Sequence, residues 1–258
     1  MELKDCKQNG DFDFTLITDF FRRLDRQGPG SVDQTLLALG FIDGLSDMKE
    51  IADIGCGTGG QTLTLAHATN AHITAVDIFP RMLETLSERR AAAGLSDRIT
   101  PVAASMFELP FEDEQFDMIW AEGSIYNIGF EKGLREWRRY LKPGGWIAVS
   151  EESWFTPDRS REIEEFWVNA YPYIDTTHRN ISKMWEAGYT PVAHFTLPDR
   201  CWEEGFYDHQ DRIFAAFLGD NAGRAAAQDM VDSMRREREI YCRYRQYCGY
   251  VFYIGRMF

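Results

Sequence analysis

In the nine residues ADIGCGTGG, 52–60, a short apolar run ends in closely spaced glycines, and the spacing fits two chemistries at once. Gly55, Gly57 and Gly60 form G-x-G-x-x-G, which cradles the pyrophosphate of a dinucleotide such as NAD. Asp53, Gly55, Gly57 and Gly59 form D-x-G-x-G-x-G, the pattern of S-adenosylmethionine binders. In both, glycines let the backbone approach a ligand, and a helix starting there offers unpaired N–H groups. Asp77 ends the next apolar run, HITAVD, where a carboxylate can accept both hydroxyls of a ribose. Loop and aspartate together point to an adenosine-type ligand without naming it.

Charge separates the two. A pyrophosphate wants the positive end of a helix dipole, and Asp53, two residues before Gly55, brings negative charge toward it. A sulfonium with an ammonium group is instead favoured by a nearby carboxylate. A short-chain dehydrogenase also needs a tyrosine with a lysine four residues on, and no tyrosine in the chain has one. Cys56 fits as a small residue filling a tight turn better than as a reactive thiolate.

These residues need a scaffold that brings strand ends together. From Glu50 short apolar runs alternate with helical stretches: IADIG, then 60–69; HITAVD, then 80–93; RITPVAA; FDMIWAE, then 131–141; GGWIAVSE. Such alternation predicts βαβ units and a doubly wound, mostly parallel sheet with its ligands at the carboxyl ends of the strands. Upstream, 12–24 and 31–42 carry apolar residues at helical spacing and predict two helices joined by the turn RQGPGS, 26–31. Beyond Glu151 the pattern loosens into an aromatic-rich stretch. There we expect a strand at 190–197, helices at 206–218 and 221–246, and a last strand in GYVFYIGRMF. The chain is expected to be one domain, 1–258: a helical cap (1–49), a cofactor-binding core (50–151), and a segment (152–258) holding the last two strands and a long insertion that closes over the site as a lid.

Composition narrows the function classes. A chain of 258 residues with 44% hydrophobic and 27% charged residues is an ordinary globular protein. Lys and Arg number 28 against 41 Asp and Glu, and the formal charge of −13 disfavours nucleic acid and anionic membrane. The one basic concentration, RREREIYCRYR at 235–245, is interleaved with glutamates and reads as a solvated helix face. No apolar run is long enough to span a bilayer, no secretory leader is recognisable, and five scattered cysteines, Cys6 among them, carry no metal spacing, so a cytoplasmic protein with free thiols and no metal is expected.

At this level the chain resembles the class I S-adenosylmethionine-dependent methyltransferases, of the type that act on small molecules. DIGCGTG resembles the family's first motif, AVD its second, FDMIWAE its fourth, and LREWRRYLKPGGWIAVSE the segment before and through its fifth strand. The likeness is good over roughly 50–151 and loose elsewhere. It implies a Rossmann-like, seven-stranded sheet whose last strand runs antiparallel. It also implies that Asp53, Gly55, Cys56, Gly57 and Thr58 line the methionine portion of the cofactor, that Asp77 holds the ribose, and that Ile78 and Met82 flank the adenine. Many relatives have an aspartate after the third strand to receive the adenine amino group. Here Ser105 stands in that place, with the Met106 backbone N–H beside it. Gln27 and Gly28 are candidates to close over the methionine end.

The acceptor is expected just past the fourth strand, in AEGSIYNIGF, 121–130. Glu122 is a candidate to hold the cofactor's ammonium group or the substrate, and Tyr126 to meet the substrate with ring or hydroxyl. Trp154, Phe155, Trp167, Tyr171, Tyr173, Trp185, Trp202 and Tyr207 can cage an amine or stack on an aromatic acceptor, though most suit core packing equally. His178 and His209 are weaker candidates as bases. Methyl transfer from sulfur demands alignment above all, so a dedicated base is optional. The alternatives are a catalytically silent S-adenosylmethionine-binding module, whose acceptor cavity would be filled by lid side chains, and an NAD-dependent oxidoreductase.

Overall fold

The computed structural model describes residues 14–258. Helix α1 (Phe14–Phe21) ends before residue 24, where the periodicity of 12–24 predicts its end, and the start of that span and Cys6 lie outside the described residues. Helix α2 (Val32–Leu39) begins at Ser31, whose hydroxyl accepts from the Gln34 N–H at 3.3 Å, an N-cap that satisfies one orphan donor. It stops at Gly40 rather than running to residue 42.

From Glu50 the expected alternation is realised: β1 (Glu50–Ile54), α3 (Gly60–Ala68), β2 (His72–Asp77), α4 (Pro80–Ala92), β3 (Ile99–Ala103), β4 (Phe116–Ala121), α5 (Phe130–Trp137) and β5 (Leu141–Trp154). Pro80, at the first turn of α4, needs no N–H there. Helix α5 ends four residues early in a 3₁₀ turn, Arg138–Tyr140. Strands β1 to β5 pair in parallel, with Asp53 beside Ala75 on β2 and Trp120 on β4, and Ala121 beside Val149 on β5.

Beyond β5 come α6 (Arg161–Ala170), β6 (Asp175–Thr176), α7 (Thr177–Glu186), β7 (Tyr189–Thr196), α8 (Asp199–Trp202), a π-helical turn (Glu203–Tyr207), α9 (Asp208–Asp220), α10 (Ala225–Tyr244) and β8 (Cys248–Met257). The sheet order is β3-β2-β1-β4-β5-β8-β7, with β8 antiparallel to both neighbours, as the expected last strand requires. An eighth strand among the described residues, β6, pairs with Ser153 and Trp154, because β5 runs beyond the end of β4 and leaves edge groups to satisfy. The insertion is not one block. Helices α6 and α7 precede β7, whereas α8 to α10 lie between β7 and β8.

Strand alternation gives the sheet two apolar faces. Ile51, Ile73, Met118, Trp120 and Ala148 pack toward Ala38, Leu65 and Leu86 of α2, α3 and α4. Ile54, Val76, Ile119, Ile147 and Val149 pack toward Leu134 and Met184 of α5 and α7. A third cluster joins Leu16 and Phe20 of α1 to Trp202, Phe214 and Phe217, so the N-terminal helix and the C-terminal helices share one core. The basic run on α10 is neutralised: Arg235, Arg236, Arg238, Arg243 and Arg245 each pair with a carboxylate. No helix among the described residues is long and apolar enough to cross a membrane.

The chain leaves β1 toward β2 and β3, then returns to β4 on the other side of β1. That reversal opens a crevice at the carboxyl ends of β1 and β4.

Candidate functional site

At the end of β1 the backbone turns through Gly55, Gly57 and Gly59, all at positive φ (77°, 55° and 87°), into α3, which begins at Gly60. The Gly55 and Cys56 N–H groups donate to the Val76 carbonyl, and the Gly57 N–H donates to Oδ2 of Asp77 at 2.9 Å. Oδ1 of Asp77 accepts from the Phe79 N–H at 2.9 Å. The loop and the strand-end carboxylate are therefore one unit, in which Asp77 holds the glycine turn. Burial raises its proton affinity, against the N–H groups of Phe79 and Gly57.

The turn at 26–31 sits directly on this loop. Oε1 of Gln27 accepts from the Thr58 N–H at 3.0 Å and its Nε2 donates to Oγ1 of Thr58 at 2.9 Å. A Cβ at Gly57 would lie 2.0 Å from that Oε1, so only glycine admits the contact. Beside it is a small cavity of about 50 Å³ lined by Gly55, Cys56, Gln61 and Gly123 of the core and by Arg26, Gln27, Gly28 and Glu122. Glu122 is the focus of its charge. One carboxylate oxygen accepts from Arg26 Nη1 at 2.7 Å; the other accepts from the Thr35 hydroxyl at 2.7 Å and from the Trp120 indole N–H at 2.9 Å. The Glu122 side chain is 7% exposed and that of Arg26 12%, so the pair is held with little water between.

Residues 51–145 match a methyltransferase domain family. Over 106 residues the chain is 42% identical to a sterol 4-C-methyltransferase of Caenorhabditis elegans, covering 41% of this chain and 31% of that protein. It is 41% identical over 106 residues to a demethylmenaquinone methyltransferase of Clavibacter sepedonicus, covering 41% of this chain and 42% of that one. The matched segment thus spans less than half the length of these relatives. The solved S-adenosylmethionine-dependent methyltransferase of Geobacter sulfurreducens, in complex with S-adenosylhomocysteine, superposes with a TM-score of 0.81 at 18% identity, over 94% of this chain and 98% of that one. Residues 51–145 thus resemble a methyltransferase domain, and the fold is the one shared with S-adenosylmethionine-dependent methyltransferases.

The Geobacter structure holds the product of the sulfonium cofactor and not a dinucleotide. Within the methyltransferase loop the expected lining residues separate into two groups. Gly55, Cys56, Gln27, Gly28 and Glu122 come together at the cavity. Asp53, Gly57 and Thr58 do not: Asp53 and Thr58 are fully buried behind the loop, and Gly57 is covered by the Gln27 amide. Asp53 accepts from Thr62 at 2.6 Å and Gln61 at 3.3 Å, and burial pushes its carboxyl up to about 7 despite those donors. Its influence reaches the cavity through Gln61, not by facing it. The Thr58 hydroxyl donates to the Leu24 carbonyl at 3.1 Å and accepts from Arg89 at 2.9 Å, fastening the N-terminal turn. Burial pushes the Cys56 thiol up, with Asp53 and Asp77 adding to it, which fits a filler and not a thiolate.

Farther along the crevice Ile78 is 37% exposed and Met82 4%, an open edge over a buried floor. The Ser105 hydroxyl accepts from the Phe107 N–H at 3.3 Å, so it braces its own turn, and the Met106 carbonyl accepts from the Trp137 indole at 3.1 Å. Tyr126 meets Tyr171 edge-on at 5.9 Å and is 39% exposed, at a mouth rather than in a core. Trp154 and Trp202 are buried in core clusters, and Trp185 is exposed. His209 lies on a separate open groove with Val32, Leu36 and His67, and His178 is exposed at the start of α7.

Arg26 and Thr35 were not legible as site residues. A lone arginine in a turn and a threonine inside a helix carry no motif; only the fold sets them against Glu122.

Proposed function

We propose that this protein transfers the methyl group of S-adenosylmethionine to a small-molecule acceptor at the carboxyl ends of β1, β4 and β5. The observation that carries the reading is the Arg26–Glu122 pair on the cavity beside Gly55. A glycine loop alone suits many nucleotides, but a cation and an anion set together there suit the carboxylate and ammonium of a methionine tail. Asp77 would hold the ribose hydroxyls, and the edge at Ile78 and Met82 would flank the adenine. The cavity of about 50 Å³ takes head groups only, so ribose and base belong on the open side toward Asp77.

S-adenosylmethionine supplies an electrophilic methyl group: the acceptor's lone pair forms the new bond as the S–C bond breaks, its electron pair remaining on sulfur. The protein's part is alignment and exclusion of water, which can contribute on the order of 7 kcal/mol or more. The Gln27 turn covers the loop, and Tyr126 stands at the acceptor's entry. The acceptors in the relatives' names, a sterol and a demethylmenaquinone, support a small molecule as the methyl acceptor here.

Titration calorimetry with S-adenosylhomocysteine and with NAD tests this. The expected result is binding of S-adenosylhomocysteine and none of NAD; no binding of S-adenosylhomocysteine would overturn the reading. Asp77→Ala should weaken that binding about ten- to a hundredfold, the worth of hydrogen bonds to a charged group. Unchanged affinity would remove Asp77 from the ribose.

A further inference from the structure

The carboxyl end of β5 carries two glutamates that the cofactor loop does not use. Glu151 is 1% exposed and Glu152 4%; the Tyr171 hydroxyl lies beside the first and the Cys248 thiol beside the second, yet both carboxylate oxygens of Glu152 and Oε2 of Glu151 lack a well-formed hydrogen bond. A third carboxylate, Glu237 of α10, reaches the same region and accepts from the Tyr207 hydroxyl at 3.2 Å. Buried carboxylates without partners are costly, and proteins keep them where a charge arrives to meet them. Among the described residues no ion pair reaches Glu151, Glu152 or Glu237. Lys183, whose charge reaches Glu151, pairs with Asp175 at 2.9 Å, and Arg159 pairs with Glu164 at 2.6 Å while lying over the Trp154 ring.

The cluster adjoins the cofactor cavity. Gly123, which lines that cavity, donates its N–H to the Ser150 hydroxyl at 2.8 Å. A Cβ on Gly123 would lie 3.7 Å from the Tyr250 hydroxyl, and Tyr250 is the cross-strand partner of Glu152. Aromatic rings wall the region: Trp202 is stacked between Tyr241 at 4.3 Å and Tyr250 at 5.2 Å, and Tyr126 and Tyr171 stand on the Glu151 side. Negative charge beside aromatic faces is the environment that recognises an ammonium group. Burial pushes Glu151 up to about 8 and Glu152 well above its ordinary range, so each carboxyl keeps its proton while the site is empty and ionises when a cation arrives to offset the burial.

We propose that the methyl acceptor is a small cationic amine, its nitrogen held by Glu152 against the ring of Tyr250, while Glu151, on the other face of β5 beside Tyr126, adds negative charge. This rests on the reading of the protein as a methyltransferase. Glu152 also removes the ammonium proton: the N–H bond breaks with its electron pair left on nitrogen, an O–H bond forms on the carboxyl, and the lone pair becomes free for methylation. The proton then leaves to solvent.

The test uses the full chain and calorimetry, with S-adenosylhomocysteine present and absent. The probes are tyramine and ethanolamine set against tyrosol and ethylene glycol, in which a hydroxyl replaces the ammonium, with cholesterol as a neutral polycyclic probe. The expected result is that at least one amine binds ten times or more tighter than its neutral counterpart. Glu152→Gln should reduce that preference at least tenfold while leaving S-adenosylhomocysteine affinity within twofold, and Glu151→Gln should do the same more weakly. A preference for tyrosol or cholesterol, no preference at all, or an amine affinity unchanged in both variants would overturn the proposal. Loss of S-adenosylhomocysteine binding in the parent protein with amine preference intact would instead strike the methyltransferase reading alone.

Discussion

Glu122 concentrates the chemistry of a single residue. It directly follows β4 and accepts three hydrogen bonds, one of them from an arginine 96 positions earlier in the chain. Removing one member of a largely buried pair costs about 3 to 5 kcal/mol, because the other charge stays behind uncompensated. Arg26→Ala is therefore expected to lower the urea-unfolding free energy by about 3 kcal/mol. The double variant Arg26→Ala/Glu122→Gln should be the more stable of the two, since the stranded charge is gone. If the double variant unfolds more easily than Arg26→Ala alone, the pair is not what anchors the turn at 26–31. The strand-end position made Glu122 visible in the sequence, whereas its partner had no signal of its own.

At the scale of elements, the glycine loop and the turn above it form one interlocked piece. Gly57 and Gly94 both have positive φ, 55° and 69°, but they differ in what surrounds them. A Cβ at Gly57 would strike the Gln27 amide, while at Gly94 nothing lies within 4 Å. Gly94→Ala should cost only the left-handed backbone penalty, roughly 1 to 2 kcal/mol, with S-adenosylhomocysteine affinity unchanged. Gly57→Ala should cost more than that and weaken the affinity at least tenfold, because the Gln27–Thr58 bonds must open. Urea denaturation and calorimetry on the two variants decide it; equal losses would mean that the turn does not brace the loop. Secondary structure from β1 to β5 was legible within a few residues, since each run shows its own period. Helices α6 and α7 were not, because their sequences mix aromatic, charged and polar residues and α6 has a single fully buried residue, Ile163.

For the whole molecule, buried carboxyls set how stability follows pH. Asp53 is pushed up to about 7 and Glu151 to about 8 by burial. A group whose proton affinity is higher folded than unfolded contributes stability that is complete below its unfolded pKa and is lost as pH rises through its folded pKa. The protein should therefore lose stability from about pH 5 toward pH 8. Asp117 acts in the opposite direction: Lys142 and the N–H groups of Lys49 and Glu50 hold it below the usual range against its partial burial, so its contribution is lost on acidification. Thermal melting across pH 4 to 8 should show a maximum on the acid side of neutral. Asp53→Asn should flatten the decline between pH 5 and 7 by up to about 1.4 kcal/mol per pH unit. A melting temperature that climbs steadily from pH 5 to 8 would contradict this account.

The sequence by itself determined the order of strands and helices from Glu50 to Glu151, the glycine turn, the strand-end position of Asp77 and the presence of a last strand. Those features are written in periods of two and 3.6 residues and in local turn chemistry, which need no knowledge of distant neighbours. Only the tertiary structure turned Asp53 and Thr58 away from the cavity, set Arg26 on Glu122, merged the N-terminal helix with α8 to α10 in one core, and left Glu152 and Oε2 of Glu151 buried without a well-formed hydrogen bond. Each of these depends on which remote segments fill the space around a side chain. That is decided by packing across the sheet, and no local pattern encodes it.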